Sequence, residues 1–357
     1  MNDQSLGSLF KNSPNNLNLI RLLAATAVIY GHANVITGHG PHDIFLTYVG
    51  YKFIGGVAVD VFFVISGYLI AQSSVGKNGL LYYAASRLLR IYPALIVCTV
   101  IMVFVLGAKF TTDDGYWSNP QVWRYLWTNA TGYQIEYMLP GVFENMNIAG
   151  VNGSLWSIAV EVRLYILIFV LSLLGVMRNR SFFNFIFFVS LVVVFFKPES
   201  FTQFYLLEYE NHRHVVMMYL IGSFCYVNRE SIPISPVILL VLTVLAASQH
   251  RAENFGFFYV LLLPYFVFCV TFSPWGQWFN RFGDYSYGVY LYGWPAQQLV
   301  YYFSPESSNL IHTTYATVIA LFCAALSWHL MEKPALTLRH KFKKTEGSGF
   351  SNKVIAQ

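Results

Sequence analysis

The chain has 357 residues, with 22 Lys and Arg against 17 Asp and Glu for a formal net charge of +5; it is 56% hydrophobic and only 11% charged. A soluble globular domain carries about 25% charged residues, so the composition excludes an ordinary soluble enzyme and points to a polytopic membrane protein. Apolar stretches near the ~20 residues that cross a bilayer recur from one end to the other.

Taken in chain order, the hydropathy predicts an all-α fold of about ten transmembrane helices, at 17–37, 50–73, 88–107, 154–177, 182–197, 213–228, 233–249, 255–272, 284–303 and 311–331. The implied organisation is a short N-terminal segment (1–16), a transmembrane domain (17–331) and a basic tail (332–357). The first span does not read as a cleaved signal peptide, because no small-x-small site follows it and Arg21 lies within the apolar region. Lys11, Arg21, Lys77, Arg87, Arg90, Arg178, Arg180, Arg229 and Arg281 fall on one side of this scheme, as do the tail residues Lys333, Arg339, Lys341, Lys343, Lys344 and Lys353. The other side receives Lys52, Lys109, Arg124, Lys197, Arg213 and Arg251. Cytoplasmic loops are the ones enriched in Lys and Arg, so both termini are expected in the cytoplasm. The positive balance thus reports topology and calls for no nucleic-acid partner, while the 339–344 cluster is suited to anionic membrane lipids.

Between the spans, the longest loop, 108–153, carries Tyr116, Trp117, Trp123, Tyr125, Trp127 and Tyr133. Two readings stand for it: an interfacial aromatic belt, or a platform on which sugar rings stack. Asn129 and Asn152 begin Asn-x-Ser/Thr triplets. Loop 198–212 is acidic through Glu199, Glu208 and Glu210, with His212 and His214 nearby, but no standard ligand spacing is present and no metal is expected. Cys98, Cys225, Cys269 and Cys323 are isolated within spans, with no CxxC pair.

The candidate functional residues are the charges far from either membrane surface. His32 lies in the first span, eleven residues after Arg21. At about 1.5 Å and 100° per residue the two share one helix face, roughly 16 Å apart. Asp60 lies in the second span, and Glu161 and Arg163 in the fourth. Ionisable groups in hydrocarbon are costly and usually face a partner or a polar cavity. Asp60, Glu161 and Arg163 are therefore expected to converge with His32, a carboxylate holding the imidazole as a base for a hydroxyl. The alternative is a set of interhelical polar clamps.

Four motifs resemble acyltransferase family 3, a group of membrane proteins that includes polysaccharide O-acetyltransferases. Arg21-x10-His32 resembles the first-helix signature, and the run Gly56 to Leu69, with Asp60, Phe62, Phe63 and Ser66-Gly67-Tyr68, resembles the second-helix segment. Arg87 and Arg90, ahead of Pro93, resemble its Arg-x-x-Arg motif; Ser154, Trp156, Ser157, Glu161 and Tyr165 resemble the fourth. The segments YSYGVYLYGWP and WHLMEKPAL are also similar. One departure is Gly293 in YGWP, where many members carry His. The chain is also expected to lack the hydrolase-like extracytoplasmic domain of some members.

The resemblance implies transfer of an acyl group, acetyl in the first instance, from cytoplasmic acyl-CoA to a hydroxyl of a glycan or lipid-linked saccharide. It places the protein in a bacterial cytoplasmic (inner) membrane. Acyl-CoA is then a co-substrate, with no bound cofactor. His32 would be the base, with Asp60 or Glu161 orienting it. Arg21, Arg87 and Arg90, helped by Lys77, would hold the CoA phosphates, which suit the planar guanidinium fork. Direct transfer is preferred over an acyl-enzyme on Ser66 or Ser154, since no Gly-x-Ser-x-Gly elbow is present. The rival class is a proton-coupled secondary transporter, which also buries His, Asp, Glu and Arg.

Overall fold

The computed structural model describes residues 4–39, 43–207 and 212–343; Glu208, Glu210, Lys344 and Lys353 lie outside the described residues. Each of the ten apolar segments is helical. They are α1 Leu17–Thr37, α2 Ile54–Ser74, α3 Gly79–Ile101, α4 Leu155–Leu173 and α5 Arg180–Phe196, then α6 His212–Val227, α7 Pro236–Ser248, α8 Phe255–Thr271, α9 Ser286–Phe303 and α10 Asn309–Ser327. Among the described residues, five helices are long and apolar enough to cross a bilayer: α1, α2, α4, α3 continued to Phe110 and α10 continued to Phe342. Helices α5, α7 and α8 are apolar but shorter. Strand is confined, among the described residues, to β1 Gln4–Ser5 and β2 Pro233–Ile234, an antiparallel pair with Gln4 opposite Ile234. The chain is an all-α membrane protein.

Two boundaries differ from expectation for one physical reason. Helix α3 starts at Gly79 rather than near 88, and α10 runs on past 331. Charges that read as loop in a linear hydropathy profile are accommodated in helices here because they find partners across the bundle. Arg90 thus sits inside α3 paired with Asp284 and Glu332, Arg87 lies one turn before it against the Tyr165 ring, and Pro93 lies within the helix without ending it.

The long aromatic loop contains a helix that sequence patterning did not predict, Pro120–Thr131. Asn119 caps it, Pro120 opens it and Gly132 closes it in the left-handed region at φ 62°. Tyr116 and Tyr125 turn into the core, while Trp117, Trp123, Trp127 and Tyr133 stay exposed. Asn129 is buried and exchanges two hydrogen bonds with the Glu136 backbone. Asn152 is buried against the Leu291 carbonyl. Both triplets therefore serve the packing of the loop.

Helix α2 lies at the centre, packed on α1, α4, α6 and α8, and α9 packs on α1 and α10. The α2–α6 crossing is made by glycine. A Cβ on Gly67 would overlap the Tyr219 carbonyl oxygen, and one on Gly222 the Val64 carbonyl oxygen. Small residues let membrane helices approach this closely, and Ser223 Oγ bonds across the contact to the Gly67 carbonyl at 3.1 Å. Replacing Gly67 by Leu is expected to cost about 1–3 kcal/mol through overpacking. A lowered melting temperature in detergent would show it, with Gly150→Ala, where the added Cβ meets nothing nearer than 3.7 Å, as the unaffected control.

Candidate active site

His32 is placed by the approach of two backbones. A Cβ on Gly31 would stand 2.5 Å from the Gly55 nitrogen, so the C-terminal half of α1 touches the start of α2 one residue before His32. The imidazole is held edge-on between the rings of Phe53 and Trp294, each centroid 5.2 Å away. His32 Nδ1 lies 2.8 Å from the Val28 carbonyl oxygen. A carbonyl can only accept, so Nδ1 carries the proton and Nε2 keeps its lone pair. Trp294 is anchored in turn, donating from Nε1 to the Gly150 carbonyl at 2.9 Å, and Gln298 donates to the carbonyls of Ile148 and Gly150 at 2.7 Å each. At Gly293 an added Cβ would lie 2.9 Å from Ile29, so α9 packs against α1 with little room for a larger side chain.

The expected convergence of Asp60, Glu161 and Arg163 on His32 is not what the structure holds. Among the described residues neither carboxylate is hydrogen-bonded to the imidazole. Asp60, fully buried, accepts from Lys52 Nζ at 2.7 Å and from the Tyr259 hydroxyl at 2.6 Å. His214 Nδ1 stands 3.2 Å from the other carboxylate oxygen of Asp60. Glu161 accepts from Ser66 Oγ and the Tyr165 hydroxyl, both at 2.5 Å. Arg163 turns away from all of them, donating to the loop carbonyls of Leu206 and Tyr133. Its long side chain reaches past the apolar run that surrounds it in the sequence, as cationic side chains in membrane helices do.

The arginines gather at the other end of α1. Arg21 and Arg90 each donate to Asp284 at 2.7 Å, and Arg90 also meets Glu332 at 3.1 Å. Glu332 ends a π-helical turn, Trp328–Glu332, and accepts from Ser327 Oγ at 3.0 Å. Arg87 lies over the Tyr165 ring with Cζ 5.8 Å from the centroid, and its buried Nε has no hydrogen-bond partner among the described residues. Of the three predicted arginines, Arg90 is therefore the most committed to internal pairing and Arg87 the least.

Two cavities lie beside these groups. The larger, about 1530 Å³, is lined by His32, Lys52, Ser154, His212, His214 and Tyr290, among others. The smaller, about 40 Å³, is lined by Arg21, Ser66, Ser157, Glu161, Tyr287 and Tyr290. Val59 and Tyr290 belong to both walls. The Tyr290 hydroxyl lies 2.5 Å from Ser157 Oγ. His32 and Glu161 thus face neighbouring compartments, with Arg21 beside Glu161.

Sequence reasoning missed Asp284, Glu332, Lys52, His214 and Tyr259 as site residues. Glu332 stands in a segment singled out only for its likeness, Asp284 directly precedes another, and Lys52 was read as a topological charge. Arg90→Ala is expected to destabilise the fold by about 3–5 kcal/mol, since it strips a buried partner from two carboxylates. Arg87→Ala, which loses a cation–aromatic contact, should cost about 1 kcal/mol or less. Thermal denaturation of the two variants side by side checks the order.

The chain is similar over 328 residues to an O-acetyl transferase of Shigella phage Sf6, at 26% identity covering 89% of this chain and 94% of that protein. It is 29% identical over 161 residues to Nodulation protein 10 of Rhizobium leguminosarum bv. viciae, covering 43% of this chain and 42% of that one. No solved structure matches it. The family profile described as an acyltransferase domain matches residues 15–329, a stretch that takes in His32, Asp60, Glu161 and all three arginines. Nearly the whole chain is thus accounted for by one family, and the protein belongs to the family 3 acyltransferases.

Proposed function

We propose that the protein is a membrane O-acetyltransferase of a bacterial inner membrane. It takes an acetyl group from cytoplasmic acetyl-CoA and passes it to a hydroxyl of a glycan or lipid-linked saccharide. The name of the Sf6 relative supports the O-acetyl chemistry. The observation that carries the reading is His32, whose Nδ1 is committed to Val28 and whose Nε2 is left as the basic atom of a residue in a large cavity wall.

In this reading the chain crosses the membrane ten times, with both termini in the cytoplasm. The β1–β2 pair supports it, because it joins the N-terminal segment to the α6–α7 connection after six helices, an even number. The Arg21 end of the bundle then faces the cytoplasm. CoA phosphates meet Arg87 first, with Arg21 and Arg90 behind it. The acetyl thioester reaches through the compartment of Arg21, Ser66 and Glu161 toward Tyr290 and the larger cavity. There the acceptor hydroxyl attacks the thioester carbonyl while His32 Nε2 takes its proton. The C–S bond breaks and the proton passes to the departing CoA sulfur. Asp60 acts by holding Lys52 and His214 in the same cavity wall, and Glu161 by fixing Ser66 and Tyr165 along the donor's path.

His32→Ala is expected to lower transfer from radiolabelled acetyl-CoA by about 10²–10⁴-fold, the usual cost of a lost general base. Acetyl-CoA binding and the melting temperature should stay near parental values. A folded His32→Ala protein that transfers at the parental rate would overturn the mechanism.

The topology has its own test. A cysteine placed at position 345 should react with an impermeant maleimide only in opened cells, and one at position 120 in intact cells. The reverse pattern would refute the orientation.

A further inference from the structure

Val59 and Tyr290 line both cavities, and of the two only Tyr290 carries a polar side chain. The sequence explains how it is held there. Pro295 lies within α9 and has no N–H to donate one turn back to the Leu291 carbonyl. Asn152, fully buried, donates to that carbonyl instead at 3.0 Å and accepts from the Ser154 N–H at 3.1 Å. The start of α4 is thereby tied to α9 beside Tyr290. Ser157, on the first turn of α4, stands with its Oγ 2.5 Å from the Tyr290 hydroxyl. The Tyr290 ring meets the Phe62 ring edge-on at 5.7 Å.

Two buried hydroxyls in contact hold two protons, and only one can lie between the oxygens. The other acceptor for Ser157, the Ser154 carbonyl, stands 3.3 Å away, beyond the ~2.5–3.0 Å usual for O–H···O bonds. Ser157 is thus better placed to donate to Tyr290, which leaves the tyrosine proton for an acceptor in the cavity. A carbonyl oxygen is such an acceptor. Along α9, Tyr290 lies one turn, roughly 6 Å at 1.5 Å per residue, from Trp294, whose ring packs edge-on against His32. The base and this donor therefore line one cavity, joined by a single turn of helix.

We infer that the Tyr290 hydroxyl donates to the thioester carbonyl oxygen in the transition state, with Ser157 as the residue that positions it. This deepens the acetyl-transfer reading above and rests on it. As the acceptor oxygen bonds to the carbonyl carbon, His32 Nε2 takes the acceptor's proton. The carbonyl electron pair moves onto oxygen, where the Tyr290 O–H meets it. Collapse of the tetrahedral intermediate restores the carbonyl, breaks the C–S bond and passes the proton from His32 to the CoA sulfur. Tyr290 keeps its own proton throughout.

The test follows transfer from radiolabelled acetyl-CoA in inside-out membrane vesicles of the natural host, deleted for this chain and supplied with each variant, so that the native acceptor is present. Tyr290→Phe removes the hydroxyl and keeps the ring. It is expected to lower kcat by about 10²–10³-fold, the usual cost of one lost oxyanion donor. KM for acetyl-CoA and the melting temperature of the purified chain should stay near parental values. Ser157→Ala should lower kcat about tenfold, as expected of one hydrogen bond. It should add nothing in the Tyr290→Phe background, because both changes act on the same donor. A pair that only clamps α4 to α9 would behave otherwise: both changes would lower the melting temperature, and lost activity would track the folded fraction. That outcome would overturn the inference, as would Tyr290→Phe turning over at the parental kcat, losing only acetyl-CoA affinity, or adding its effect to that of Ser157→Ala. With His32→Ala inactive in the same vesicles, any of these results leaves the acetyl-transfer reading standing. Parental activity of His32→Ala would instead strike that reading itself.

Discussion

Asp284 accepts from Arg21 on α1 and from Arg90 on α3, and Arg90 reaches on to Glu332 beyond α10. In a bundle surrounded by hydrocarbon, none of these four charges can be left alone, because the desolvation of each ion amounts to several kcal/mol. They must meet, and they come from four places far apart in the chain. Their meeting ties the start of α1, the first half of α3, the entry to α9 and the exit of α10 into one end of the bundle. The π-helical turn Trp328–Glu332 belongs to this arrangement. Such turns are rare inside helices and often occur at functional sites, and here one ends at the buried carboxylate that pairs with Arg90. Arg90 is consequently a keystone before it is a ligand, whereas Arg87, on the same helix, keeps bonding capacity.

At the opposite end the same constraint has a different solution. Asp60 is ion-paired with Lys52, accepts from the Tyr259 hydroxyl and lies within hydrogen-bond distance of His214, groups drawn from the start of α2, from α8 and from α6. The two clusters leave between them the adjoining cavities that share Val59 and Tyr290. A partition of this kind suits a reaction whose substrates arrive from opposite faces. Under the acetyl-transfer reading, donor and acceptor are each held in one of these two compartments.

Much of the fold was legible in the sequence because lipid is a demanding solvent. Every backbone polar group must be paired within its own segment, so an apolar run of sufficient length has to be a helix, and all ten segments are helical. The misplaced edges of α3 and α10 fall where Arg87, Arg90 and Glu332 look like loop residues until their neighbours are known. The same reason governs the site. His32, Asp60, Glu161, Arg21 and Arg90 stood out as charges in apolar runs. Asp284, Lys52 and His214 lie near helix ends, where a charge is ordinary, and only the three-dimensional crossing reveals them as partners. Arg163 was misjudged because position along a helix does not report where a long flexible side chain ends. The pairing expected between His32 and a carboxylate failed for a local reason, since the Val28 carbonyl one turn back already occupies Nδ1.

That last substitution of partner has a chemical consequence under the acetyl-transfer reading. A carboxylate beside the imidazole would orient it, but would also bring a full negative charge near the thioester carbonyl, where negative charge develops during attack. A backbone carbonyl fixes the same tautomer with only a dipole. The carboxylates are instead turned toward cations and hydroxyls: Asp60 toward Lys52 and Tyr259, Glu161 toward Ser66 and Tyr165. What lines the large cavity near His32 is then the ammonium of Lys52 rather than the carboxylate that balances it. Fixed cations and dipoles aimed at a developing oxyanion stabilise a transition state most in a site that excludes water. The arrangement keeps the His32 imidazole and the Lys52 ammonium in the cavity wall, with the Asp60 carboxylate that pairs with Lys52 buried behind it.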